Sequence, residues 1–100
     1  MAIGVPTGEA AVAQIDRSEL VPCARLNGAD LAGADLGGLD LSGADLSGAD
    51  LRGAKALNTV LVGAILHDAR LDGAQFLHAN LTGADLTNAT ATGAGFGGAD

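Results

Sequence analysis

From Ala24 onward an apolar residue returns every five positions, with a small apolar residue two places before it and a glycine or short polar residue two places after it. The central positions are Leu26, Leu31, Leu36, Leu41, Leu46, Leu51, Ala56, Leu61, Leu66, Leu71, Phe76, Leu81, Leu86, Ala91 and Phe96, in one frame and without an insertion. Alanine stands two residues earlier in every repeat except those beginning at Leu39 and Thr59. A period of five fits neither the helical repeat nor the alternation of a flat strand, so the chain must turn once per repeat. Apolar residues at alternate positions share one face of an extended segment. The glycine that follows, replaced by Asn58, Asp68, His78 and Asn88, marks the turn, because Gly, Asn and Asp tolerate positive φ. Each repeat is a short strand plus a corner, and the chain is a solenoid.

The recurring Ala-Asp-Leu-x-Gly resembles the pentapeptide-repeat family over roughly three quarters of the chain. The resemblance implies an all-β, right-handed quadrilateral β-helix of about four coils, four repeats to a coil, in which the central residue and the one two before it point inward. Residues twenty apart then stack. One column holds Leu36, Ala56, Phe76 and Phe96, and a ring stack there adds about 0.5–1.5 kcal/mol beyond burial. Stability comes from coil-on-coil contacts, so an inward carboxylate at Leu46 or Leu66 should unfold the whole domain.

Residues 1–22 are expected to form a lead or cap segment and residues 23–100 the β-helix. Two forms of the lead segment stand side by side. One is a short helix starting at Thr7 and running through Glu9 to Arg17, with Pro22 ending any helical run; the other is an extended approach with Val21 already in frame as a central residue. At the other end the sequence stops two residues into a repeat, which fits end-to-end pairing with a second copy, a longer protein cut short, or a tolerated frayed coil.

Charge narrows the partners. Twelve acids against five bases, with Lys55 the single lysine, give −7, and a polyanion needs a basic patch that this composition does not supply. Direct binding of nucleic acid or of an anionic membrane is therefore not expected. No basic segment followed by an apolar run opens the chain, and nowhere do eighteen apolar residues occur together. Cys23 is alone, so no internal disulfide forms and a reduced, cytoplasmic setting is the default.

Two surfaces are candidates for function. Asp30, Asp35, Asp40, Asp45 and Asp50 wind around the first half. The resemblance implies for them a DNA-mimicking surface of the kind that family members present to type II topoisomerases; the plainer account is that they hydrate the wall and prevent lateral pairing. In the second half Val60 and Ile65 replace Asp before the central residue, and Leu57, Val62 and Leu77 follow it. Those five apolar side chains are expected to face outward around one corner, as a contact surface or beneath a locally folded cap. His67 and His78 fall on different walls, Asp68 adds a single further ligand, and Thr82, Thr87 and Thr92 fall on successive walls, so neither a metal centre nor an ice-binding plane is expected. Ser18, Ser42 and Ser47 lack a histidine in range, and Cys23 lacks an identifiable base. The expectation is a non-enzymatic protein-interaction or scaffolding module with no cofactor or metal, which binds a protein partner and whose open solenoid end is one route to a homo-oligomer. The alternative is a DNA-mimic modulator of a type II topoisomerase, a gyrase inhibitor or quinolone-protection protein.

Overall fold

In the computed structural model residues 17–100 are described. Most of the helix considered from Thr7 lies outside the described residues. At its end Arg17–Glu19 form one 3-10 turn, after which the solenoid begins. Its backbone is a series of isolated parallel bridges, each joining residues twenty apart, from Arg25↔Asp45 to Gln75↔Gly95. Four five-residue repeats separate each bridged pair, so the path turns four corners before it meets itself one layer up. Residues with the same place in successive turns form four walls, named here for their first central residue as the Leu26, Leu31, Leu36 and Leu41 walls.

The corners follow from the residues that occupy them. Gly48 and the residue at every equivalent corner have φ near +65°, the left-handed region that disfavours a Cβ. Where glycine is replaced, the conformation persists: Asn58, Asp68, His78 and Asn88 all lie between +58° and +62°. His78 is the least expected of these, and its ring lies over Gly98 on the next layer.

Hydrogen bonding leaves one amide per repeat facing outward. The central amide donates to the layer above, as in Leu46 N to the Ile65 carbonyl at 2.7 Å, and the corner amide does likewise, as in Gly48 N to the His67 carbonyl at 2.8 Å. The residue before the centre donates downward, as in Asp45 N to the Ala24 carbonyl at 2.9 Å. Inside each corner the next repeat's first amide closes a turn onto the central carbonyl, as in Ala49 N to Leu46 O at 3.0 Å. Only the residue directly after the centre keeps an amide that neither the ladder nor the corner uses.

The core is a single column of thin layers. Leu31, Leu41, Leu46, Leu66 and Leu71 are fully buried, with Ala44, Ala49, Ala54, Ala64 and Ala74 between them. Phe76 and Phe96 stack with ring centroids 5.3 Å apart and planes 6° from parallel, so the wall that holds Leu36 and Ala56 carries the aromatic pair. Thr59 takes a place that Ala fills in most repeats. It is fully buried, and its hydroxyl donates to the Leu36 carbonyl at 2.7 Å, which meets the requirement that a buried hydroxyl be bonded.

The entry to the tube differs in part from the extended approach considered above. Cys23 N bonds the Ser42 carbonyl at 2.9 Å and Ala24 N the Val21 carbonyl at 3.1 Å, so the backbone is already in register. The Val21 side chain is nevertheless 45% exposed, and Leu20 is buried in its stead. The five-residue side-chain rule starts one repeat later than the backbone pattern.

Candidate functional site

The outward amide explains the aspartates. The Oδ1 atom of Asp30, Asp35, Asp40, Asp45 and Asp50 accepts the amide two residues ahead, at Ala32, Gly37, Ser42, Ser47 and Arg52, at 3.0 to 3.3 Å. Asn80 and Asp85 do the same for Thr82 and Thr87. These are Asx turns, which give an otherwise solvent-bonded donor a local partner. Hydroxyls reinforce them: the side chains of Ser42 and Thr87 also donate to Asp40 and Asp85, and with the backbone amides they hold both carboxyls below the ordinary carboxylate range. Ser47 does this for Asp45 through its side chain and amide. Asp50 is lowered chiefly by the Arg52 guanidinium, which grips it at 2.7 and 2.9 Å. The acidic column is thus part of the corner architecture as well as a charged surface. The Asp-x-Ser and Asp-x-Thr spacing in the sequence carried the signal for it.

The apolar residues occupy the stretch where this device lapses. Lys55, Val60, Ile65 and Gln75 stand where the capping Asp would be, and among the described residues the amides of Leu57, Val62, His67 and Leu77 have no such partner. Leu57 is 47% exposed, and Val62, Ile65 and Leu77 are exposed to a similar degree, with Val60 half-buried. The register puts Leu57 and Leu77 one above the other on the Leu36 wall, Val60 and Val62 on the Leu41 wall, and Ile65 on the Leu26 wall. They form a belt over three successive walls around one turn, with Leu77 one layer above, where the sequence suggested a single corner.

Two bonds between layers, both to one side-chain carboxylate, were not anticipated. Asp72 accepts the Thr92 amide at 2.8 Å and the Thr90 hydroxyl at 3.0 Å, so a carboxylate on one turn caps an outward amide on the next. His67 pairs with its neighbour Asp68 at 2.7 Å, on the wall opposite the one that carries His78. Among the described residues no three metal-ligating side chains converge, and no helix is long and apolar enough to cross a membrane. Cys23 is free and exposed at a corner, its sulfur packed over Gly43.

Comparison with known proteins agrees with this geometry. A model of pentapeptide repeats matches in eight copies, over residues 24–61, 44–76 and 69–100. The chain belongs to the pentapeptide-repeat family. Membership implies a right-handed β-helix. The solved structure of HetL, a pentapeptide-repeat protein involved in heterocyst differentiation regulation in the cyanobacterium Nostoc sp. strain PCC 7120, is 32% identical and superposes with a TM-score of 0.57 over 79% of this chain. A pentapeptide-repeat protein of the Arabidopsis thaliana thylakoid lumen is 36% identical over 75% of the chain, with a TM-score of 0.39. The chain spans 47% of the length of the first and 60% of the second. Among curated proteins none matches. Pentapeptide-repeat proteins are in general non-enzymatic repeat modules.

Proposed function

We propose that this chain is a protein-interaction or scaffolding module: a short rod of roughly four turns whose apolar belt docks a protein partner and whose acidic walls keep other contacts weak. The observation that carries it is the coincidence of two changes in the same stretch. Between Lys55 and Leu77 the capping aspartates disappear, and apolar side chains stand exposed beside uncapped amides. A wall built only to be solvated has no use for either change. A cytoplasmic, non-enzymatic role without a cofactor belongs to the same proposal.

The topoisomerase-directed mimic is the weaker reading, because each aspartate of the acidic spiral already has one oxygen committed to its own corner. Two experiments separate them. Photo-crosslinking from position 75 in the source cells should join wild-type protein to a discrete partner that the Leu57→Ser/Val62→Ser variant fails to capture, while both proteins melt alike. Identical capture by the two would remove the belt from the interface. In a gyrase supercoiling assay the protein should be inert with and without a quinolone, and inhibition or protection at micromolar protein would reverse the order of the two readings.

A further inference from the structure

We propose that the Leu36 wall is the contact through which two copies of this chain pair face to face, antiparallel about a two-fold axis that lies in the plane of the contact and runs across the solenoid axis. The proposal rests on the belt being a contact surface and narrows the occupant of one part of it to a second copy. On this wall the position after the central residue runs Gly37, Leu57, Leu77, Gly97, and the bridges Asp35↔Lys55, Lys55↔Gln75 and Gln75↔Gly95 stack these repeats in order. The column reads the same upward and downward. An isologous interface needs such a surface, because under a two-fold axis each residue meets its counterpart's partner and the reverse. With the axis midway between the leucines, Leu57 of each copy faces Leu77 of the other, and each Gly37 faces a Gly97.

Shape and charge point the same way. Leu77 leans over Gly97, so that a Cβ added there would lie 3.1 Å from its Cδ2. At the opposite end of the column Gly37 has no side chain, and a Cβ there would lie 3.1 Å from Asp35 Oδ1 and 3.6 Å from the Leu57 carbonyl oxygen. The overhang of one copy therefore faces the low, side-chain-free Gly37 site of the other. Among the described residues Asp35 and Lys55 are the only formal charges on this wall and they cancel, whereas each of the other walls carries more acids than bases. For a chain of net charge −7, this is the wall across which two copies approach without like-charge repulsion.

The test is the mass of the full chain in solution, by sedimentation equilibrium from ~10 µM to ~1 mM. The expected result is a concentration-dependent doubling of mass in wild type and in Ile65→Ser, whose site lies on another wall, with Leu77→Asp and Gly37→Leu remaining monomeric. Gly37→Leu raises this site with the side chain already found at the equivalent Leu57, and an unchanged melting curve confirms that its fold is intact. A wild type that stays monomeric throughout, or a dimer that survives both wall substitutions, overturns the proposal. A monomeric wild type whose belt variant still loses its crosslinked partner would overturn the second copy while leaving the contact surface standing.

Discussion

The early and last turns of this solenoid set their central residues at the same repeat positions, yet only the early ones form a core. Leu26 is 2% exposed and its counterpart Leu86 is 39% exposed; Phe76 is 1% exposed and Phe96, stacked on it, is 39%. The inward direction of a side chain is set by its place in the repeat, but its burial is supplied by the layer above and the layer below. The first turn has another turn above it and Leu20 packed into the same core. The last turn has a described neighbour on one side only. In a fold that is stacked along one axis, sequence position decides where a side chain points and neighbours decide what that is worth.

The largest expected effect uses this contrast directly. Leu46→Asp puts a carboxylate at a fully buried site and should cost on the order of 4 kcal/mol or more, enough to abolish cooperative unfolding. Leu86→Asp, the same change two layers up the same wall, should cost within about 1 kcal/mol. Similar urea midpoints for the two would dissolve the distinction between the turns. Next comes the aromatic pair: Phe76→Ala should cost about 3–5 kcal/mol as a filled layer empties. Phe96→Ala should cost about 1 kcal/mol, mostly the lost stacking.

Smaller effects sharpen the comparison. Thr59→Val removes the bond to the Leu36 carbonyl from the buried middle of the tube and should lower stability by about 1 kcal/mol in thermal melts. Asp72→Ala should leave the global midpoint nearly unchanged. It should speed hydrogen exchange at the Thr92 amide while sparing Ala49, which bonds within its own corner. Exchange that stays slow at Thr92 would mean that Asp72 holds nothing. The weakest effect is that of pH. Asp40, Asp45, Asp50 and Asp85 are all lowered in the folded chain, so their stabilisation is present above the ordinary carboxylate pKa and fades as pH falls through the lowered values. Because the sites are exposed, the loss between pH ~7 and ~3 should be gradual and small. Urea titrations that show a gain on acidification would contradict the sign.

Much of this architecture could be read from the chain. The column of Phe76 over Phe96, the burial of Leu46, and positive φ at Asn58, Asp68 and Asn88 follow from a period of five, two alternating apolar positions and a square turn. His78 adopts the same conformation without belonging to the favoured residue types, because the corner is imposed by bridges on both sides of it. The Asp-x-Ser spacing of Asp40 with Ser42 was visible, but its meaning was not, since it depends on an outward amide that appears only once the ladder is drawn. Of the five apolar residues read as outward, Leu57, Val62, Ile65 and Leu77 are exposed and Val60 is half-buried, and the register spreads them over three walls.

Sequence alone determined the period, the inward and outward sets and the places of the corners, because each of these is a local demand of backbone sterics repeated without interruption. Tertiary structure decided the rest: that Leu20 is buried and Val21 is not, that Asp72 reaches across to Thr92, and that Phe76 is core while Phe96 is half in solvent. Those outcomes depend on what lies one layer away, and a residue's own repeat contains no information about its neighbour's presence.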